Sequence, residues 1–425
     1  MTMTENSCNE YQQLSRRKLL GQGALLASSV AIPLIAPRIS FAQGTSIRDA
    51  VIVIHLQGGA DALSFCCPHG DPIYYQVRPT IAIPKPGQGS NGAIDLNGYF
   101  GFPKAFLPLM EAFNDGNLGV IHAVGRENSS RSHFEEQHFL QAVADSESAG
   151  GWVSRHLAST LSSKANPPFR GLFFGESTPV SMRKGQQIVS VTDPSAYTMS
   201  GGFSDDEEIA NTIVRMYSRV KDESRAIVRD AKRASDVINP LNLTDYQSSG
   251  HLQYPQSSLG NSLRYAAGMI KGDIGVEVIQ YDWYGWDTHA NQGSVGGILE
   301  SMMNELARCM AAFYSDMEAS GDTRWTLVVM SEFGRQVEEN GSRGTEHGTA
   351  GCMLTMGPNV TGGIQTDWPG LESENRRDGV DLKPTIDYRD VLADLILCRM
   401  KNDQTRFVLP SRAVPTTPSG FFKAA

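Results

Sequence analysis

Short apolar runs recur along the chain, each separated from the next by a longer stretch of helical character, and this alternation narrows the folds open to it more than any other feature. The runs Ala50 to Leu56, Leu118 to Val124, Gly171 to Phe174, Val276 to Tyr281, Trp325 to Met330 and Gly351 to Met356 are apolar at nearly every position rather than at every second one. A strand that reads this way is buried on both faces, which requires helices on both sides of its sheet. Helical stretches fall between them, at Phe102 to Asn114, Ser132 to Ala144, Trp152 to Ser162, Asp205 to Ser235, Thr244 to Lys271, Gly293 to Ala319 and Asp387 to Met400. Strand then helix, repeated, predicts an α/β fold with a mostly parallel central sheet flanked by helices. The polar helical middle, about 204–258, lacks strand-like runs and reads as a helical cap inserted into the sheet domain, while Thr361 to Lys383 reads as a surface loop.

The 425 residues fit several small domains or one large sheet, and there is no internal repeat to divide them. With 40% hydrophobic and 20% charged residues the chain is neither collagenous, nor a coiled coil, nor wholly disordered. A formal charge of -9 argues against a general nucleic-acid binder, which needs concentrated Lys and Arg to neutralise phosphates. The opening residues read as an address rather than as fold. Ser15-Arg16-Arg17-Lys18-Leu19-Leu20 is a paired-arginine motif, followed by an apolar stretch from Gly23 to Ala36 and by Ser40-Phe41-Ala42, whose small residues suit a signal peptidase. The stretch is broken by Pro33 and is too short for a stable membrane span of about 20 residues. Residues 1–42 are therefore expected to be a twin-arginine signal peptide recognised by the matching export machinery, and 43–425 a domain released to the periplasm or the exterior. The five cysteines beyond that point, Cys66, Cys67, Cys309, Cys352 and Cys398, are odd in number and scattered, so they form neither a disulfide framework nor a C-x-x-C metal motif.

In an open parallel sheet, ligands bind beyond the carboxyl ends of the strands. There the sequence places Gly58-Gly59-Ala60-Asp61, then Arg131-Ser132-His133-Phe134, then Gly285-Trp286-Asp287-Thr288-His289, then Ser331-Glu332-Phe333-Gly334-Arg335 with Gly344-Thr345-Glu346-His347-Gly348 shortly after. Each piece has an ordinary reading: a Gly-Gly-x-Asp turn, a Ser132 helix cap, an ion pair of Arg335 with Glu332 or Glu338. Together they predict a divalent metal held by Asp61, Asp287, His289, Glu346 and His347. Mixed carboxylate and imidazole donors suit zinc first, with manganese, iron or magnesium as alternatives. Ser132 at a helix start is placed to attack an anionic ester. Arg131 and Arg335 are placed to clamp its oxygens, and His133 or His289 to assist proton transfer.

These five segments, in this order, resemble the bacterial family known as domain of unknown function 1501, from about Ala50 to Met400. The resemblance implies an exported, sulfatase-like relative within the alkaline phosphatase superfamily. On that plan Asp61 is the ligand after the first strand, Ser132 the nucleophile position, and Asp287 with His289 and Glu346 with His347 two ligand pairs. Two departures stand out. Glu346 takes a position where the family usually has Asp, one methylene shorter, and Asp287 and His289 are separated by one residue rather than the longer spacing of active phosphatases, which speaks against two metals.

The leading expectation is an exported metal-dependent hydrolase of phosphate or sulfate esters, acting on a small-molecule or glycan ester. The alternative is a non-catalytic envelope protein that binds an anion, a glycan or a partner on the same fold. A redox role lacks any haem, flavin or iron-sulfur motif. The signal reading makes a direct prediction: replacing Arg16 and Arg17 together by Lys will leave the precursor in the cytoplasm, seen by fractionation, and unimpaired export would refute it.

Overall fold

The computed structural model describes residues 48–144, 150–164, 167–196, 206–220 and 224–424. The paired-arginine segment and the cleavage site lie outside these residues. The nine strands of the main sheet are β1 (Ala50–Gln57), β2 (Leu118–Gly125), β3 (Gly171–Phe174), β4 (Ile188–Val191), β5 (Val278–Tyr284), β6 (Trp325–Ser331), β7 (Gly351–Met356), β8 (Gly363–Gln365) and β9 (Ile386–Asp387). They run in the order β8-β2-β7-β6-β1-β5-β3-β4, with β9 also paired to β2. β1 lies at the centre, pairing in parallel with β5 (Val51 to Val278) and β6 (Val51 to Thr326). Only β7 runs against its neighbours β2 and β6. The mostly parallel α/β sheet expected from the apolar runs is the fold of the chain.

Every residue of β1 is buried, and its side chains divide by parity between two cores. Ile52, Ile54 and Leu56 point into one, shared with α5 (Ser258–Lys271) and α6 (Ile298–Ser320) and with Ala234 and Ile238 of α4 (Ser224–Ile238). Val51 and Val53 point into the other, under α1 (His133–Ala142), α2 (Trp152–Ser159) and α7 (Tyr388–Cys398). A strand buried at every position, with successive side chains sent to opposite cores, is what a sheet covered on both faces demands. α6 ends on Gly321 in the left-handed conformation (φ 69°), and α7 starts on Asp387, whose carboxylate accepts the Arg389 amide proton.

The reversed strand explains how distant loops meet. β7 runs the other way, so the segment preceding it, with Gly344 to Gly348, lies at the same sheet edge as the segments that follow β1, β2, β5 and β6. In the span 204–258 the described residues hold α3 (Asp206–Tyr217), α4, short turns of 3-10 helix and no strand. The helix expected from Thr244 begins only at Ser258, after Pro255, where the Ser257 hydroxyl caps the Gly260 amide. No described helix is long and apolar enough to cross a membrane.

At the opposite edge Glu277, just before β5, is buried with Arg170, whose Nε and Nη2 donate to its two oxygens at 2.7 and 2.8 Å. Burial alone would raise its pKa, but His156 and Arg170 outweigh that and hold it at about 2. A carboxylate depressed in the folded state stabilises fully above its ordinary pKa of 4.5, and this contribution is lost as pH falls toward 2. The displacement corresponds to about 3 kcal/mol. Urea denaturation between pH 4.5 and 2 should therefore show the wild type losing about 3 kcal/mol more than Glu277→Gln, and parallel acid limbs would refute the assignment.

Candidate metal centre

The edge loops are held together by one side chain. Arg335, 1% exposed, sends Nε to the Gly59 carbonyl (2.6 Å), Nη1 to the Thr345 carbonyl (2.9 Å) and Nη2 to the carbonyls of Gly58 and Trp286 and to Asp287 Oδ1 (2.6 Å). Each of its three nitrogens is tied to the surrounding loops rather than turned to the site as an anion clamp, and its ion-pair partner is Asp287 rather than Glu332 or Glu338. The glycines serve this close approach. Gly58 has φ 127°, and a Cβ there would come within 2.5 Å of the Asp287 amide nitrogen.

Around Asp287 gather three imidazoles. His347 Nε2 lies 3.0 Å and His289 Nε2 2.9 Å from Asp287 Oδ1, and the two ring nitrogens are 3.0 Å apart. His133 Nε2 is 3.4 Å from Asp287 Oδ2 and is buried without a hydrogen-bond partner among the described residues. The other nitrogen of each ring faces an acceptor: Glu332 for His133 (2.8 Å), Glu346 for His289 (2.9 Å) and the Arg131 carbonyl for His347 (2.9 Å). A carboxylate or carbonyl fixes a proton on Nδ1, so each neutral ring presents its Nε2 lone pair inward. Three lone pairs and a carboxylate facing one another require a positive charge between them. One ligand atom each from His133, Asp287 and His347 lies within 4.8 Å of the others, with His289 alongside. Protons can supply the charge instead: burial opposes it, but Asp287 and Glu332 raise the pKa of His133 to about 9. Burial likewise opposes the charge on Asp287, yet His133, His289, His347 and Arg335 hold its carboxyl far below the usual range.

The donor set differs from the one expected in sequence. Asp287, His289 and His347 come together, and His133, expected as a proton carrier, joins them. Its two nitrogens are committed to Glu332 and the centre, and those of His289 to Glu346 and the centre, so neither ring is free to shuttle protons. Glu346 stands behind His289, facing its Nδ1, and is itself held by Asn340 (2.6 Å). Asp61 is occupied elsewhere. Its carboxylate accepts from Arg78 through both oxygens (2.5 and 3.0 Å), from Ser64 (2.6 Å) and from Gln292 (2.8 Å), with Asp61 and Arg78 1% and 0% exposed. Arg131 turns its guanidinium outward to Asp381 (2.8 Å) and Asp378 (2.9 Å), leaving its carbonyl, on a residue with φ 62°, to face His347. Ser132 is the N-cap residue of α1, but its hydroxyl does not close the cap, and it lies in sequence between the Arg131 carbonyl and the His133 ring.

Glu332 is the anchor that sequence reasoning passed over as a partner for Arg335. It also accepts from the Gly58 amide (2.8 Å) and from Gln137 (3.0 Å), and although burial opposes its charge, His133, His55 and Gln137 hold it at about 2. Its position directly after β6, among the other site loops, was a readable signal. Arg78 had none, sitting at the end of a short helix far from any motif. The five cysteines are free, and burial raises the thiol pKa of each.

Fold and site together define a mixed α/β protein with an imidazole and carboxylate cluster at the edge of its sheet. The chain belongs to the family described as "Protein of unknown function (DUF1501)", matched over residues 120–395. No curated protein matches the sequence. Among solved structures it is similar to Ps i-CgsB in complex with k-i-k-neocarrahexaose (10% identity, 86% of this chain and 73% of that one, TM-score 0.34). It is also similar to the alkaline phosphatase of the Antarctic bacterium TAB5 (9% identity, 75% and 94%, TM-score 0.29). A mutant of that phosphatase with Mg bound gives 11% identity, 75% and 95% coverage and a TM-score of 0.26.

Asp61 as a buttress and Asp61 as a ligand separate by one substitution. Asp61→Asn should leave the buried Arg78 guanidinium uncompensated and cost about 3–5 kcal/mol in denaturant titrations while leaving metal content unchanged. Lost metal with unaltered stability would restore Asp61 as a ligand.

Proposed function

We propose that the protein is an exported, metal-dependent hydrolase of phosphate or sulfate esters, with its substrate a small-molecule or glycan ester. What supports the reading most is the convergence of three anchored Nε2 lone pairs on the Asp287 carboxylate, since rings pre-set in this way are how proteins hold a divalent metal. Three nitrogens and one oxygen suit zinc best, then manganese or iron; magnesium prefers oxygen. A bound divalent ion supplies Lewis-acid stabilisation of charge on the ester oxygens. His133, His289, His347 and Asp287 hold it, while Glu332, Glu346 and the Arg131 carbonyl fix the ring orientations. Ser132 is the nucleophile in this reading, its hydroxyl left out of the helix cap and next in sequence to a ligand. Overall, water enters and the alcohol and the inorganic anion leave. The paired-arginine segment brings the export machinery as a partner and a periplasmic or extracellular location.

A second reading has one observation in its favour. The guanidinium groups of Arg131 and Arg335 are both committed to carboxylates and carbonyls, so neither is free for a transferred phosphoryl or sulfuryl group. That suits a protein which binds an anion, glycan or partner without turnover.

Elemental analysis of the purified protein should find about one divalent ion per chain, lost in His347→Ala and Asp287→Asn. Chelation should lower the melting temperature, because a ligand bound only by the folded state stabilises it. A metal-free protein with the same melting temperature would overturn the metal centre. Chromogenic phosphate and sulfate esters should be cleaved by the loaded protein. Both Ser132→Ala and Ser132→Asn should keep the metal but lose several orders of magnitude in turnover, whereas for a mere cap Asn would be tolerated and Ala would cost only about 1 kcal/mol of stability. Metal without turnover of any ester would favour the binding protein.

A further inference from the structure

A cleft of about 750 Å³ opens beside the metal centre, within the size range of small-molecule sites. The same stretches of backbone serve both. Phe134 of the cleft follows His133 of the centre, Gln57 precedes Gly58, Tyr284 lies three residues before Asp287, and Gln137 donates to the Glu332 that orients His133. We propose that this cleft binds an uncharged sugar chain, the alcohol part of the ester, in preference to a polyanionic one. That the sugar forms the alcohol part of an ester rests on the hydrolase reading; the binding itself does not.

Three features of the lining carry the inference. Phe134 and Tyr284, on different elements, are 61% and 58% exposed, and large apolar rings left this open mark contact surfaces. With the half-buried Tyr281 in the same wall they offer π faces, on which the weakly positive C–H face of a pyranose ring stacks. The lining also carries the amides of Gln57, Gln137 and Asn261: the nitrogens of Gln57 and Gln137 already donate to Asp282 and Glu332, which sets their oxygens to accept from a ligand's hydroxyl groups, and Asn261 can both donate and accept. Asp282 adds a fixed acceptor. It is buried in the wall, and each of its oxygens already takes an amide proton, from Gln57 (2.7 Å) and from Gln280 (2.7 Å), which locks its orientation.

The balance of charge then selects among sugars. The lining carries three carboxylates, Glu176, Asp193 and Asp282, against the guanidinium of Arg183 and the imidazole of His138. A chain bearing several sulfates would bring like charges into this wall, and such juxtapositions reject partners. One anionic ester group can sit at the metal while the rest of the ligand, lying in the cleft, is neutral. A sugar supplies the apolar face and the hydroxyl groups without added charge.

The test needs neither metal nor turnover. The full chain, stripped with EDTA, is titrated calorimetrically with neutral tri- and tetrasaccharides of glucose, galactose, mannose and N-acetylglucosamine, with sulfated counterparts of the same backbones, and with choline as a cationic alcohol. At least one neutral saccharide should bind, its sulfated counterpart about tenfold or more weakly. Phe134→Ala and Tyr284→Ala should each weaken binding about tenfold, as loss of a stacking ring does. Their side chains are exposed, so circular dichroism should report an unchanged fold. Failure of every neutral saccharide to bind at millimolar concentration, equal or tighter binding of the sulfated forms, binding of choline alone, or wild-type affinity in both ring variants would each overturn the proposal. Sugar binding by a chain that holds no metal and cleaves no ester would keep this proposal and sink the hydrolase. Cleavage of chromogenic esters without sugar binding would do the reverse.

Discussion

The buried guanidinium of Arg335 is the interaction on which the rest of the site depends. It binds the carbonyls that follow β1, the carbonyl and carboxylate that follow β5, and a carbonyl of the segment before β7, so three loops far apart in sequence share one knot. A guanidinium is suited to this because its five donors spread in a plane and it keeps its charge when buried. That charge has a cost in a dry interior unless it is met, and Asp287 meets it with one oxygen. The same carboxylate faces the histidines, so the arginine that ties the loops also holds Asp287 ionised at the centre.

A second principle is that each histidine is positioned by the acceptor at its far nitrogen. Glu332 and Glu346 come from opposite ends of the connection between β6 and β7, and the Arg131 carbonyl from the loop after β2. The left-handed backbone of Arg131 is costly for a residue with a side chain, by about 1–3 kcal/mol, and its surroundings must over-determine it. Here the side chain is pinned by Asp378 and Asp381 and the carbonyl by His347. The Asp61 cluster works one layer below. Its Gln292 also bonds Thr288 and Thr345, neighbours of Asp287 and Glu346, so the buried pair stiffens the loops without joining the centre.

Much of this was legible in the sequence, for definable reasons. Nearly all-apolar runs such as Ala50 to Leu56 announce a sheet covered on both faces, and the rule that ligands bind beyond strand ends pointed to the loops in which Asp287, His289 and His347 come together. What the sequence did not show is which partner each group takes. Asp61 follows the first strand as a ligand should, yet Arg78, which carries no motif, claims it. Arg131 and Arg335 have the right type for binding an anion, but local composition does not reveal carboxylates brought in from 200 or more residues away or from the next loop. The reversal of β7 was also hidden, since an apolar run has no sign of direction. Strands of two or three residues, such as β8 and β9, are too short for any periodic signal.

The central place of β1 has a consequence for how the chain acquires its structure. β1 is made first, but its partners β5 and β6 begin at Val278 and Trp325, more than 200 residues later. At ordinary rates of synthesis that gap is on the order of tens of seconds. For that interval an eight-residue, mostly apolar strand has neither neighbour, and its closure then demands contacts of very large sequence separation, which fold slowly. The residues of the imidazole and carboxylate cluster span a similar gap, from His133 to His347. The cluster therefore cannot assemble on a partly made chain, and it forms only after the last third of the molecule has closed over the first.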